Sequence, residues 1–132
     1  MGSRVEHSLH KALKGVRLLV VEDDAILLME LEEILQDAGA EIVGRCRTVA
    51  DALATVEKYG ISAAVLDVRI GNTTIAPVAR QLGQRGTPFF FYTGQVVNDP
   101  ALEEWRDCKI VAKPAQAHAI VSAVVDLLHR RQ

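Results

Sequence analysis

Cysteine is scarce: two in 132 residues, Cys46 and Cys108, at no metal-ligand spacing. They read as free, structural thiols of a reducing compartment rather than as a disulfide framework. No stretch approaches the ~18 consecutive apolar residues of a membrane span, and the N-terminus lacks a signal-peptide core, so the chain reads as cytoplasmic with no membrane partner. An excess of one charge is missing too. Lys and Arg number 15 against 17 Asp and Glu, a net charge of -2, which argues against nucleic acid and against an anionic membrane surface. Internal repeats and low-complexity linkers are absent. What is there is ordinary for a soluble globular protein: 49% hydrophobic and 24% charged residues, in a length that buries a core without help from metal or disulfide.

Residues 1–15 differ in character from the remainder. Val5, Leu9 and Leu13 recur at helical spacing, with Arg4, His7, His10, Lys11 and Lys14 between them. This is either a tail or a short amphipathic helix that docks on the domain or on a second copy, so a homodimer is left open. His7 and His10 are too few for a metal site. The domain proper is expected over 16–132.

The rest of the chain is organised around Ala63-Ala64-Val65-Leu66-Asp67, a short apolar run that stops on a carboxylate. A run of that length suits a strand buried on both faces. Four more strands are expected at 16–21, 41–46, 89–93 and 109–112. Helices are expected over 25–38, 48–58, 74–84, near 101–105 and over 115–130, with Pro77 tolerated only in a first turn and Gly39 placed as a C-terminal cap. Five strands alternating with five helices predict an α/β fold. It is a doubly wound, five-stranded parallel sheet of flavodoxin-like (βα)5 type, in the order 2-1-3-4-5.

In that order the polar strand ends converge on one rim: Glu22-Asp23 after the first strand, Asp67 after the third, Thr93-Gly94 at the fourth and Lys113-Pro114 after the fifth. Ligands collect at the carboxyl edge of such sheets. Clustered carboxylates repel, a divalent cation relieves the repulsion, and an all-oxygen donor set suits Mg²⁺ or Mn²⁺ better than zinc. A carboxylate beside a metal, with a lysine and a hydroxyl opposite, is the equipment for phosphoryl transfer to an aspartate. Each piece alone is weak. Asp24 reads simply as a helix cap, and Thr93-Gly94 or Lys113-Pro114 in isolation would be a turn and an exposed lysine.

Taken together, Leu-Leu-Val-Val-Glu22-Asp23-Asp24, Val-Leu-Asp67, Tyr-Thr93-Gly94 and Lys113-Pro114 resemble the receiver domain of two-component response regulators, over about residues 16–130. The resemblance implies that Asp67 is the phosphoacceptor. It makes Asp23 a direct Mg²⁺ ligand, Glu22 a ligand acting mainly through water, and the backbone carbonyl of Arg69 a further ligand. Thr93 would bond the phosphoryl group and Lys113 would pair with it. It also implies a histidine kinase or phosphotransfer protein as donor and a downstream protein as target. The expected role is a single-domain regulator with no output module and no enzyme turning over a separate substrate, signalling through the fourth helix, fifth strand and fifth helix. The segment Pro88-Phe89-Phe90-Phe91-Tyr92-Thr93-Gly94-Gln95-Val96 is similar to the Pro-Phe-x-Phe-Ala-Thr-Gly-x-Tyr stretch of a single-domain group found mainly in alphaproteobacteria.

Several positions depart from the family pattern. Val96 replaces the final Tyr of that stretch, and the loop after Asp67 lacks the usual Pro and places Arg69 where it could reach over the phosphoryl group. Ile110 stands where most receivers carry an aromatic switch residue, and Ala115 where the family often has Phe. Tyr92 replaces a small residue and cannot stand in for the missing aromatic, because strand alternation points it to the opposite face from Thr93. These departures keep open a receiver-like scaffold that works without phosphorylation. A haloacid dehalogenase-type hydrolase would need an acid two residues after the nucleophile, where this chain has Arg69. An FMN-binding flavodoxin would need a phosphate-cradling loop after the first strand, where this chain has Glu22-Asp23. Trp105 reads as a partly buried packing residue.

Overall fold

The computed structural model describes residues 11–94 and 100–130. Val5, Leu9, His7, His10, Gln95, Val96, Asn98 and Asp99 lie outside the described residues. The apolar runs form strands β1 (Arg17–Val21), β2 (Glu41–Cys46), β3 (Ala63–Leu66), β4 (Phe89–Thr93) and β5 (Ile110–Ala112). All pair in parallel, in the order β2-β1-β3-β4-β5. This is the α/β, flavodoxin-like order that the alternating pattern predicts.

Helices α1 (Ala25–Asp37), α2 (Val49–Lys58), α3 (Ala76–Gln84) and α4 (Ala117–Arg130) cover the two faces. Side-chain alternation along the strands divides the core between them. Leu18, Val20, Val65, Phe90 and Tyr92 point into one cluster with α1 and α4, while Leu19, Val21, Leu66 and Phe91 point into the other with α2 and α3. Leu13 is 0% exposed within the first cluster, and its N–H donates to the Ala38 carbonyl at 2.8 Å. At least this part of the N-terminal apolar pattern therefore packs on the domain.

Several boundaries differ from the sequence expectation for identifiable reasons. The fourth connection is a 3₁₀-helix, Pro100–Trp105, not an α-helix, so the described residues hold four α-helices where five were expected. Six residues with adjacent Glu103 and Glu104 supply too few apolar positions to propagate an α-helix. The last helix begins at Ala117 rather than Ala115, because Gln116 acts as the cap, its carbonyl accepting from Ala119 and Ile120. Helix α3 starts at Ala76, with Pro77 in its first turn. The loop through Gly71-Asn72 is a small antiparallel hairpin of Arg69–Ile70 and Thr73–Thr74. Gly71, at φ 61°, supplies the positive φ that a two-residue turn of this kind needs at its first position. On α1 the buried residues are Leu28, Leu31 and Leu35, and Leu27 is only half-buried.

Strand β2 packs so closely on α2 that it tolerates no side chain at Gly44. A Cβ there would lie 2.6 Å from Thr55 Cγ2 and 2.9 Å from Leu19 Cδ1. Thr55 cannot swing away freely, since its hydroxyl donates to the Asp51 carbonyl at 2.9 Å. Gly44→Ala should therefore cost about 1–3 kcal/mol through overpacking, read as a lowered urea midpoint with an unchanged slope.

Candidate functional site

Each site residue is delivered by a strand end or by the residue after it. Asp67 N–H donates to the Val21 carbonyl at 3.1 Å, and Glu22 N–H donates to the Cys46 carbonyl at 3.0 Å, so both carboxylates leave the sheet under ladder control. Asp24 caps α1, its Oδ1 accepting from Ile26 and Leu27 N–H at 2.9 and 3.2 Å. The cap turns the chain sharply and leaves Glu22 and Asp23 facing the rim.

One carboxylate oxygen from each of Glu22, Asp23 and Asp67 lies within 4.8 Å of the others. Glu22 is 1% exposed and Asp67 8%. Lys113 Nζ bridges the two buried acids, donating to Glu22 Oε1 at 2.5 Å and to Asp67 Oδ2 at 2.7 Å. Glu22 Oε2 accepts from Asp24 N–H at 3.1 Å. Burial pushes the Glu22 carboxyl above its ordinary value, with the bonds from Lys113 and Asp24 opposing this and the Asp67 charge adding to it. Burial pulls the Lys113 ammonium down, but hydrogen bonds to Asp67 and Glu22 outweigh it and hold the group above its ordinary value.

Thr93 is buried at the end of β4, and its carbonyl accepts from Lys113 N–H at 3.0 Å. Gly94 follows it in an exposed bend. Arg69 opens the hairpin two residues beyond Asp67, with its side chain exposed beside Arg80 and Trp105. Ile110 is half-buried and packs on the cluster that contains Phe91. Glu22, Asp23, Asp67 and Lys113 thus converge, and Thr93 is joined to them through its backbone. Cys46 and Cys108 are both free.

Two contributors are not visible from the sequence. Arg47 Nε donates to the Asp23 carbonyl at 3.0 Å, and the Gly71 N–H donates to Asp23 Oδ2 at 2.8 Å. Arg47 stands directly after β2, the neighbour of β1, a position that does not announce which group its guanidinium reaches. Gly71 acts through its backbone, which no residue type announces.

The donor set fits a hard divalent ion: three carboxylates, no sulfur or imidazole, and an Asp23 held in place by the hairpin. An open, doubly wound α/β domain with an acidic pocket and a lysine at the carboxyl edge of its sheet is the class that fold and site define. No family model and no curated protein sequence matches the chain. Solved structures do. SdrG from Sphingomonas melonis Fr1 is 39% identical, with a TM-score of 0.76 over 89% of this chain and 98% of that one. A response regulator receiver protein from Sinorhizobium medicae WSM419 is 27% identical, with a TM-score of 0.80 over 91% and 99%. The response regulator PhyR from Brucella abortus shares the fold at 21% identity, with a TM-score of 0.74 over 92% of this chain, which spans 51% of the PhyR length.

The chain belongs to the response regulator receiver family. These neighbours agree with the alphaproteobacterial type that the Pro88–Val96 stretch resembles.

Removing the lysine tests the electrostatics of the pocket. Lys113→Met leaves two buried carboxylates without their cation and should cost at least about 1–3 kcal/mol at neutral pH. Glu22 then binds its proton more tightly in the folded than in the unfolded state. The deficit is full above the folded Glu22 value and shrinks as pH falls through it toward the ordinary 4.5. Urea unfolding at neutral and mildly acidic pH measures this.

Proposed function

We propose that Asp67 accepts a phosphoryl group from a histidine kinase or phosphotransfer protein, in a reaction that depends on Mg²⁺ or Mn²⁺, and that the phosphorylated domain signals by contact with a downstream protein. The observation that carries this reading is the bridge from Lys113 Nζ to Asp67 Oδ2 at 2.7 Å within a cluster of three carboxylates. SdrG has been solved in a BeF3-activated conformation, which supports a phosphoryl-dependent switch in a relative of this chain.

In this reading a carboxylate oxygen of Asp67 forms a P–O bond as the donor's P–N bond breaks. The leaving imidazole nitrogen keeps the electron pair and takes a proton from solvent. Lys113, already on Asp67, follows the negative charge to the phosphoryl oxygens, and the Thr93 hydroxyl donates to one of them. Glu22, Asp23 and Asp67 would hold the cation, with the Arg69 carbonyl completing the protein ligands. What a bound divalent ion supplies is neutralisation of phosphoryl charge. The domain turns over no separate substrate and works in the bacterial cytoplasm. Ile110, in place of the family's aromatic, favours a second reading in which the domain is a scaffold that needs no phosphorylation.

Incubation with Mg²⁺ and acetyl phosphate, followed by intact mass, separates the two. The expected result is a gain of one phosphoryl group in the wild type, absent in Asp67→Ala and absent without Mg²⁺. Failure of both acetyl phosphate and a phosphohistidine donor to modify the wild type leaves the scaffold reading. In this reading Arg69, two residues beyond Asp67 in the chain, governs the approach of water to phosphorus in the phosphorylated protein. Arg69→Ala should change the aspartyl-phosphate lifetime several-fold, and identical lifetimes remove Arg69 from the hydrolysis step.

A further inference from the structure

Tyr92 is buried in the α1 and α4 face of the core, yet its hydroxyl and its ring both meet the segment that carries Lys113. Its hydroxyl accepts from Ala115 N–H at 3.2 Å, and its ring centroid lies 5.7 Å from Lys113 Nζ. A buried tyrosine hydroxyl ordinarily finds a hydrogen-bond partner, so what distinguishes this one is where its partner lies. Here the partner is an amide two residues from the lysine and ahead of the first residue of α4. The adjacent strand residue completes the hold, since the Thr93 carbonyl accepts from Lys113 N–H at 3.0 Å. Two consecutive residues of β4 thus grip the loop 113–115 at both ends, Thr93 through its main chain and Tyr92 through its side chain.

The residue sizes fit this arrangement. A groove of about 300 Å³ lies beside the loop, lined by Leu27, Leu31, Ile34, Tyr92, Pro114 and Ala115. Position 92 contributes a ring to its lining, and position 115 only a methyl group. The aromatic and the small residue have exchanged places relative to the pattern that the chain otherwise follows.

We infer that Tyr92 is a positioning residue for Lys113. It fixes the Lys113–Ala115 loop through the Ala115 amide and seats the ammonium against its ring, so that Lys113 is held over Asp67. The effect on phosphorylation rests on the function proposed above, whereas the tether itself does not.

Full-length wild type, Tyr92→Phe, Tyr92→Ala and Tyr92→Ala/Ala115→Phe test it. Amide exchange at Ala115, normalised to Val20 in β1 as a reporter of global opening, should accelerate about three- to tenfold in Tyr92→Phe. The Lys113 ε-methylene proton resonances should lose their ring-current shift in Tyr92→Ala and keep most of it in Tyr92→Phe. The rate of phosphorylation by acetyl phosphate should fall about tenfold in Tyr92→Ala and recover at least partly in the double variant, where the aromatic returns from the other side of the groove. Unchanged Ala115 exchange in Tyr92→Phe, or Lys113 resonances indifferent to Tyr92→Ala, would overturn the inference. A double variant no faster than Tyr92→Ala would overturn the exchange of roles between positions 92 and 115. If the wild type accepts no phosphoryl group, the proposed function fails, and exchange at Ala115 with the Lys113 resonances still decides the tether.

Discussion

Lys113 reaches back across 91 positions to Glu22 and 46 positions to Asp67, and it joins the last strand to the first and third through one ammonium. The two carboxylates it bridges are almost wholly withdrawn from water, where like charges repel strongly and neither is solvated well. Placing them there as charges costs much less when the Lys113 ammonium arrives with them. The acids come from the middle of the sheet and the lysine from its edge, so the pocket is complete only when β5 has docked on β4. Crowding negative charge in this way costs stability that the Lys113 ammonium offsets, and three clustered carboxylates are the kind of donor set that suits a hard divalent ion.

Much of this was legible in the residues. Short apolar runs ending on Glu22, Asp67 and Thr93 marked both strands and strand polarity, and alternation with helical patterns left few sheet orders, of which the flavodoxin-like one is the simplest. Once the order is known, convergence of Glu22, Asp23, Asp67 and Lys113 follows from geometry. Contacts made by backbone or by a side chain's far end were not legible. The Gly71 N–H on Asp23 depends on the turn of a six-residue hairpin, and the Arg47 guanidinium finds a carbonyl rather than an acid. Strand alternation correctly sends the Tyr92 ring away from Thr93, but the period of two says nothing of how far a tyrosine hydroxyl reaches. The 3₁₀ form of Pro100–Trp105 was equally hidden, because so short a stretch carries no usable periodicity.

Membership in the receiver family fixes the frame and leaves the departures as this chain's own. Ile110 puts an aliphatic side chain on the face where aromatic density comes instead from Phe89, Phe91 and Trp105. These rings meet edge to face, with centroids 5.5 Å and then 6.3 Å apart. Arg80 closes the series, lying 5.7 Å from the Trp105 ring and paired with Glu104 at 3.0 Å. The 3₁₀ segment is thereby fastened to α3 by charge and to β4 by ring contact, two attachments of different character.

That series has an optical consequence. Trp105 is the one tryptophan in the chain, so indole emission arises from a single place: the ring edge-on to Phe91, two residues back along the strand from Thr93. Its surroundings are a guanidinium on one side and the buried sheet on the other, a polar and an apolar environment within one ring's width. The protein therefore carries an intrinsic fluorophore at the junction of strand, 3₁₀ segment and α3, and its emission reports on that junction without a label.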